Sequence, residues 1–289
     1  MPRRPRACSA RFQPQSLLYP RPKVRYAAVM LSYQHAYHAG NLADVHKHAL
    51  LAWALAYLTA KDKPLTYIET HAGRGLYDLT AAESDKTGEA AAGIARAESW
   101  LPADHPYRRI LAQVRAIHGA QFYPGSPLIA AASLRDGDVM RLSELHPAEF
   151  RALEANLSPW GAHIAQVDGL EAAIALTPPT PRRGMMLIDP SYEVKADYDR
   201  LPSIIGKVIK RWNVVIVALW YPILLDVPHV QMLAALTRDF PDALRSEVRF
   251  PPIREGHRMA GSGMFVINPP YGMDEEAARL LAIFEAHRR

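Results

Sequence analysis

The sequence predicts an α/β protein of Rossmann-like order: a mostly parallel seven-stranded sheet, helices on both faces, and a small helical insertion. Three observations carry this. Short apolar or β-branched runs of strand length recur at 65–69, 139–145, 163–167, 184–188, 214–219, 246–250 and 264–267. Helix-patterned stretches at 147–157, 169–176, 197–211 and 228–239 separate most of them, and strands alternating with helices build parallel sheets covered on both sides. No helix pattern separates the last two runs, so they are expected as an antiparallel pair at one edge, the final strand reversed.

The remaining segments follow in chain order. Residues 46–59 (HKHALLAWALAYLT) carry a broad apolar face and predict a helix ahead of the first strand. Residues 79–122 are Ala-rich with paired charges and are read as the helical insertion in a domain spanning 30–289. Residues 1–29 hold five prolines and seven basic residues with no acid, a composition that buries too little apolar area to offset its ordering entropy. Three readings of that tail stand open. It is a basic RNA-binding arm, a transit peptide (disfavoured by prolines that break an amphipathic helix), or an upstream-extended start. The last is preferred, because Met30 opens the first well-patterned segment.

Charge and cysteine content narrow the function classes. The chain carries +5 overall, but the tail alone supplies +7, which leaves 27 basic and 29 acidic groups in the other 260 residues. Bulk charge therefore does not argue for nucleic acid, and an RNA surface must come from local clusters. A single cysteine, Cys8, allows no internal disulfide and no cysteine-based zinc site, which fits a reducing cytoplasm. No apolar run reaches the roughly 18 residues needed to span a bilayer, so no membrane partner is expected.

Two strand ends carry chemistry. The run 65–69 ends in Glu69-Thr70-His71-Ala72-Gly73-Arg74-Gly75, an acid and alternating glycines that let backbone approach a nucleotide-like cofactor. Methyltransferases usually show acid-x-Gly-x-Gly-x-Gly, and here His71 takes the first glycine position; a tight packing turn explains the same residues. The run 184–188 ends in Asp189-Pro190-Ser191-Tyr192. An adenine amine is a poor nucleophile because its lone pair is delocalised. The Asp189 carboxylate and the Pro190 carbonyl can accept its two N–H groups, pull the nitrogen toward tetrahedral geometry and stabilise the charge that develops on methyl transfer. Tyr192 can stack on the base. The plainer reading is a β–α turn with an Asp helix cap. Asn268-Pro269-Pro270-Tyr271 matches the same four-residue pattern, but it follows the last strand at the sheet edge, whereas Asp189 follows the fourth strand, near the switch point where ligands bind.

Glu144 and Asp168-Gly169 also stand at strand ends, where acids suit a ribose diol and an adenine amine respectively; either acid serves equally as a helix N-cap. Residues 33–48 concentrate four of the twelve histidines. No carboxylate triad or cysteine supports zinc there, and methyl transfer needs no metal, so none is expected. Aromatic, imidazole and Lys groups opening a helix suit a nucleic acid contact, and ordinary surface histidines remain the alternative.

Taken in order, LSYQHAYHAGNLADVHKH, ETHAGRGLYDL, TGEAAAGI, FYPGSPLIA, SELHP, DG, LIDPSYE, ALWYP and SGMFVINPPY resemble the RlmJ family of 23S rRNA adenine-N6 methyltransferases from about Met30 to Tyr271. The resemblance implies a class I S-adenosylmethionine-dependent methyltransferase. It implies that His48, His71, Ser126, Glu144, Asp168, Gly169 and Asp189 line the cofactor pocket and that Asp189 binds the target amine as catalytic acceptor. Tyr33, His35 and Lys47 are implied to face the RNA, 79–122 to be the family's helical insertion, and the partner to be naked or early-assembly 23S rRNA whose adenine leaves its stack. Two departures stand out: the family's Asp-Pro-Pro-Tyr has Ser191 at its third position here, and the 29-residue tail precedes a start that matches the family at Met30-Leu31-Ser32-Tyr33. A DNA adenine-N6 methyltransferase uses the same four-residue motif, usually with a larger recognition domain. A non-catalytic ribosome-assembly factor is the reading from another class.

Overall fold

The computed structural model describes residues 35–81, 88–251 and 258–288; Tyr33 and the 1–29 tail lie outside them. The helix expected over 46–59 begins one turn earlier, as α1 (Leu42–Thr59), because the side chain of Asn41 caps it by accepting from Asp44 N–H. Strand β1 (Thr66–Glu69) follows. Before the next strand of the main sheet the chain forms a hairpin of β2 (Leu76–Asp78) and β3 (Phe122–Pro124), which the sequence reading did not include. Between these strands, within the stretch read as helical, lie α2 (Glu89–Ala92), α3 (Ile94–Ala97) and α4 (Pro106–His118). In α4, Tyr107, Ile110, Leu111 and Val114 are buried at helical spacing, so one stripe faces the body of the protein.

After α5 (Ser126–Ser133), strands and helices alternate: β4 (Val139–Ser143), α6 (Pro147–Leu157), β5 (His163–Ala165), α7 (Gly169–Ala175), β6 (Gly184–Ile188), α8 (Ala196–Arg211), β7 (Ile216–Leu224) and α9 (His229–Asp239). Strands β8 (Leu244–Arg249) and β9 (Met259–Ile267) precede the final helix, α10 (Met273–Ala286). The sheet order is β5-β4-β1-β6-β7-β9-β8. The pairings among the first five are parallel; β9 runs antiparallel to both β7 and β8. This is the seven-stranded, reversed-strand order expected of class I S-adenosylmethionine-dependent methyltransferases. One detail differs from the sequence reading: β9 is an inner strand, and β8 is the edge.

Side chains alternate across the sheet, as strand geometry requires. Met185 and Leu187 of β6 join a core with α1, α5 and α10, while Met186 and Ile188 join a second core with α7, α8 and α9. Both faces are thus covered, and β6 is buried along its whole length.

This order fixes where a site can form. From β1 the chain moves outward to β4 and β5, then returns to β6 on the other side of β1. The carboxyl ends of β1 and β6 therefore flank a switch point, the crevice where open α/β sheets bind ligands. Helix α1 packs on the sheet over β9, and Lys47 in its second turn reaches Asp189, so its first turns also lie at that end.

Candidate functional site

A cleft opens at the switch point, holding about 1320 Å³ counted out to its open mouth. Its wall includes His35, Asp44, Lys47 and His48 from the α1 region, His71 and Gly73 after β1, Ser126 at the start of α5, Glu144 after β4, and Asp189 to Tyr192 after β6. The structure thus gathers eight of the eleven candidate site residues named from sequence around one space. Asp168 and Gly169 lie outside this lining. Asp168 caps α7, its Oδ1 accepting from Leu170 and Glu171 N–H, and a Cβ on Gly169 would stand 1.7 Å from the Thr70 carbonyl. Only glycine lets α7 start that close to the end of β1.

An ion cluster, buried but for the cleft, organises the mouth. Lys47 Nζ donates to Asp189 Oδ2 at 2.5 Å and lies 3.0 Å from Asp44 Oδ1. Asp44 also takes His35 Nε2 at 3.0 Å and Gly40 N–H at 2.9 Å on its other oxygen. Burial works against the charge of Asp44, but the nearby His35 and Lys47 prevail and hold its carboxyl well below the ordinary range. Burial likewise works against charge on Lys47, yet its two carboxylates raise it above a free lysine. Lys47 is therefore a buried counter-ion that also sits 5.5 Å from the centre of the Trp220 ring. Asp44 and Trp220 were not picked out from sequence. The Asp44, Lys47, His48 spacing, one helical turn, was the available signal for the first; nothing local marked the second.

The tyrosine after Asp189 is held rather than free. Tyr192 adopts φ 58°, its hydroxyl donates to the Trp220 carbonyl at 2.6 Å, and its ring lies 4.5 Å from that of Tyr198. The rival motif points elsewhere. Because β9 is antiparallel, its end lies at the amino ends of the parallel strands, away from the cleft, where the Asn268 side chain donates to the carbonyls of Asn213 and Val215 just before β7.

The cofactor side of the cleft has its own polar fittings. The Glu144 carboxylate accepts from Gly73 N–H at 2.8 Å and His146 N–H at 2.7 Å, and burial pushes it up from its ordinary value. His48 is neutral, pushed down to about 3 by burial, with Nδ1 2.8 Å from the Tyr123 hydroxyl. Its buried Nε2 has no hydrogen-bond partner among the described residues, and such an orphan facing a cleft is what a polar ligand would satisfy. Gly73, at φ 60°, and Gly125 keep backbone open where a side chain would meet Tyr77.

Beneath the cleft, Glu69 accepts from the hydroxyls of Tyr67 at 2.8 Å and Ser126 at 2.5 Å. Burial pushes its carboxyl up to about 8 from 4.5. The folded protein then holds a proton that the unfolded chain releases between those values. The associated stability is full below about 4.5 and fades as pH rises through about 8. Glu69→Gln keeps an acceptor and cannot titrate, so melting temperature should fall less across that interval than in the wild type; parallel curves would show that Glu69 does not titrate there.

Comparison with known proteins agrees with this architecture. The family model described as Ribosomal RNA large subunit methyltransferase D, RlmJ, matches residues 62–287. Ribosomal RNA large subunit methyltransferase J of Escherichia coli K12 is 38% identical over 257 residues, covering 87% of this chain and 92% of that protein. The Haemophilus influenzae protein of the same name is 38% identical over 260 residues with the same coverage. A crystal structure of a Legionella pneumophila protein superposes with a TM-score of 0.77 at 35% identity, covering 87% of this chain and 94% of the other. The chain belongs to the RlmJ family of ribosomal RNA large subunit methyltransferases, whose methyl donor is S-adenosylmethionine.

Proposed function

We propose that the protein transfers a methyl group from S-adenosylmethionine to the exocyclic N6 amine of an adenine in 23S rRNA, as a cytoplasmic enzyme acting on naked or early-assembly RNA. The observation that carries this is the position of Asp189: at the carboxyl end of β6, in the cleft mouth, followed by Pro190 and the anchored Tyr192. Bound S-adenosylmethionine supplies an electrophilic methyl on a sulfonium. The chain's residues supply the rest. Glu144, Gly73, His48, His71 and Ser126 offer polar contacts to the cofactor, and Asp168 and Gly169 shape the neighbouring turn after β5. Asp189 and the Pro190 carbonyl accept the amine's N–H groups, align its lone pair and offset the developing positive charge. Lys47 holds Asp189 in place. His35 lines the same cleft, and Tyr33, on the same stretch of chain, is proposed to meet the RNA with it.

A radiolabelled transfer assay tests this on unmodified 23S rRNA fragments against duplex DNA. Label in RNA alone is expected. Label in DNA alone would make the protein a DNA adenine methyltransferase, and none in either would leave an assembly factor without turnover. The cofactor half of the proposal has a separate test. Glu144→Ala leaves the Gly73 and His146 N–H groups unmet and removes an acceptor for ribose hydroxyls, so S-adenosylhomocysteine affinity should fall by roughly 1–3 kcal/mol. Unchanged calorimetric affinity would reduce Glu144 to a turn-stabilising residue.

A further inference from the structure

The β7–β9 ribbon, with β8 along its outer side, reaches beyond β6 and ends in an exposed apolar tip beside the cleft. Strand β6 stops at Ile188, level with Leu219, and Asp189 begins there. Strand β7 continues through Trp220 to Leu224 with β9 alongside, a rise of about 16 Å for five residues. The alternation along this extension is informative. Trp220, Pro222 and Leu224 line the cleft with Met259 of β9, while Tyr221 and Ile223 are fully buried on the other face. The extension is therefore one wall of the site, and its end is the rim.

At that rim the chain turns and places Leu225, Val227 and Val230 outward, exposed at 68%, 51% and 51%. The turn is tied down. Leu225 N–H donates to the Arg258 carbonyl, Val227 N–H to the Leu224 carbonyl and Val230 N–H to the Val227 carbonyl. Val227 has φ 50°, a left-handed conformation costly for a β-branched residue. Glycine would fit that backbone without strain, so a structural turn alone does not account for valine. Basic groups surround the tip. Arg258 pairs with Asp226, Lys195 acts on Asp226 as well, and Arg249 acts on His229, next to Val230. The carboxylates of Asp226 and Glu247 oppose these cations.

We propose that this tip, Leu225 and Val227 backed by Val230, is an apolar wedge that enters the RNA base stack at the place the target adenine leaves. The inference rests on the RNA reading above and adds to it how extrusion is stabilised. An adenine reaching Asp189 must unstack, and proteins that open base steps insert apolar side chains between them. A wedge must be apolar, protruding, rigid and adjacent to the receiving pocket, with cations nearby for phosphates. The ribbon tip has each property, and continuity with the cleft wall argues for the same RNA rather than a separate protein partner.

The test uses Leu225→Ser, Val227→Gly and their double variant in the full-length chain. The substrates are a 23S rRNA fragment methylated by the wild type and the same fragment with the nucleotide on which the adenine stacks made abasic. Val227→Gly relieves the left-handed strain, so its melting temperature should not fall, which keeps a loss of activity interpretable. The double variant should lose about tenfold or more in kcat/KM on the intact fragment and less than about threefold on the abasic one, where unstacking costs less free energy. Equal activity on both fragments, or equal losses on both, would overturn the wedge while leaving the proposed reaction standing. A wild-type dimer that Leu225→Ser dissociates without changing methylation would assign the tip to a second copy of the chain and likewise overturn it. No methylation of either fragment by the wild type would instead remove the RNA reading itself.

Discussion

Asp189→Ala is expected to lower methyl transfer by about 10³-fold or more, the scale seen when a group aimed at developing charge is removed. The carboxylate is proposed to act on the amine and not on the cofactor's own binding contacts, so S-adenosylhomocysteine affinity should stay within about threefold. The fold should survive, because Lys47 keeps Asp44 as its counter-ion at 3.0 Å. Asn268→Ala makes the control. Asn268 bonds to backbone at the opposite end of the strands from Asp189, so its loss should leave most activity intact. A dead Asn268→Ala beside an active Asp189→Ala, assayed on the same RNA, would relocate the reaction.

Lys47→Met should be the most destabilising single change at the site. It retains an apolar stem of similar length and removes the charge between Asp44 and Asp189, whose side chains are 2% and 12% exposed. Breaking a buried ion pair from one side typically costs about 3–5 kcal/mol. His35, 3.0 Å from Asp44, can recover part of that, so the lower figure is expected from denaturant unfolding. The pH dependence gives a second readout. Asp44 sits below its ordinary value in the wild type, so the stability it contributes is present above that value and is lost as acid protonates it. Without Lys47 that acid loss should shrink. Transfer should also fall by roughly 10²-fold, because an acceptor displaced by about an ångström no longer aligns the amine. A variant as stable as the wild type at neutral pH would mean that the two carboxylates do not depend on Lys47.

Much of this was legible in the sequence, and the reason is locality. Strand β6 was bounded correctly because its five apolar residues are buried on both faces and Asp189-Pro190 ends the run. Helix α6 was bounded by Pro147 in its first turn. The start of α1 was missed by one turn because the reading weighted the apolar face and passed over Asn41, whose capping bond starts the helix before that face begins. The hairpin of β2 and β3 was missed because each strand has three residues and its partner is more than 40 positions away; no window of local pattern registers such a pair. Strands β7 and β9 came out short for a related reason. Their outer halves carry Pro222, Gly261 and Gly263, which depress strand propensity, and only their mutual pairing makes them strands. Pro222 is tolerated because β6 has already ended, leaving that side of β7 open.

The sequence by itself determined the layer architecture, the reversed final strand and the two strand ends where the chemistry is proposed. Apolar periodicity and turn residues act over a few positions, and they are written out in order along the chain. Only the tertiary structure decided what those ends face. Lys47 and Asp189 are 142 positions apart and meet at 2.5 Å, which turns a lysine expected at the RNA surface into the buried counter-ion of the proposed catalytic acid. Asp168 and Glu144 look alike in sequence, each an acid at a strand end, yet one caps a helix outside the cleft and the other lines it. Chain reversal at the switch point makes that difference: it separates β1 from β6 at their carboxyl ends, and a side chain's neighbours there belong to distant parts of the chain.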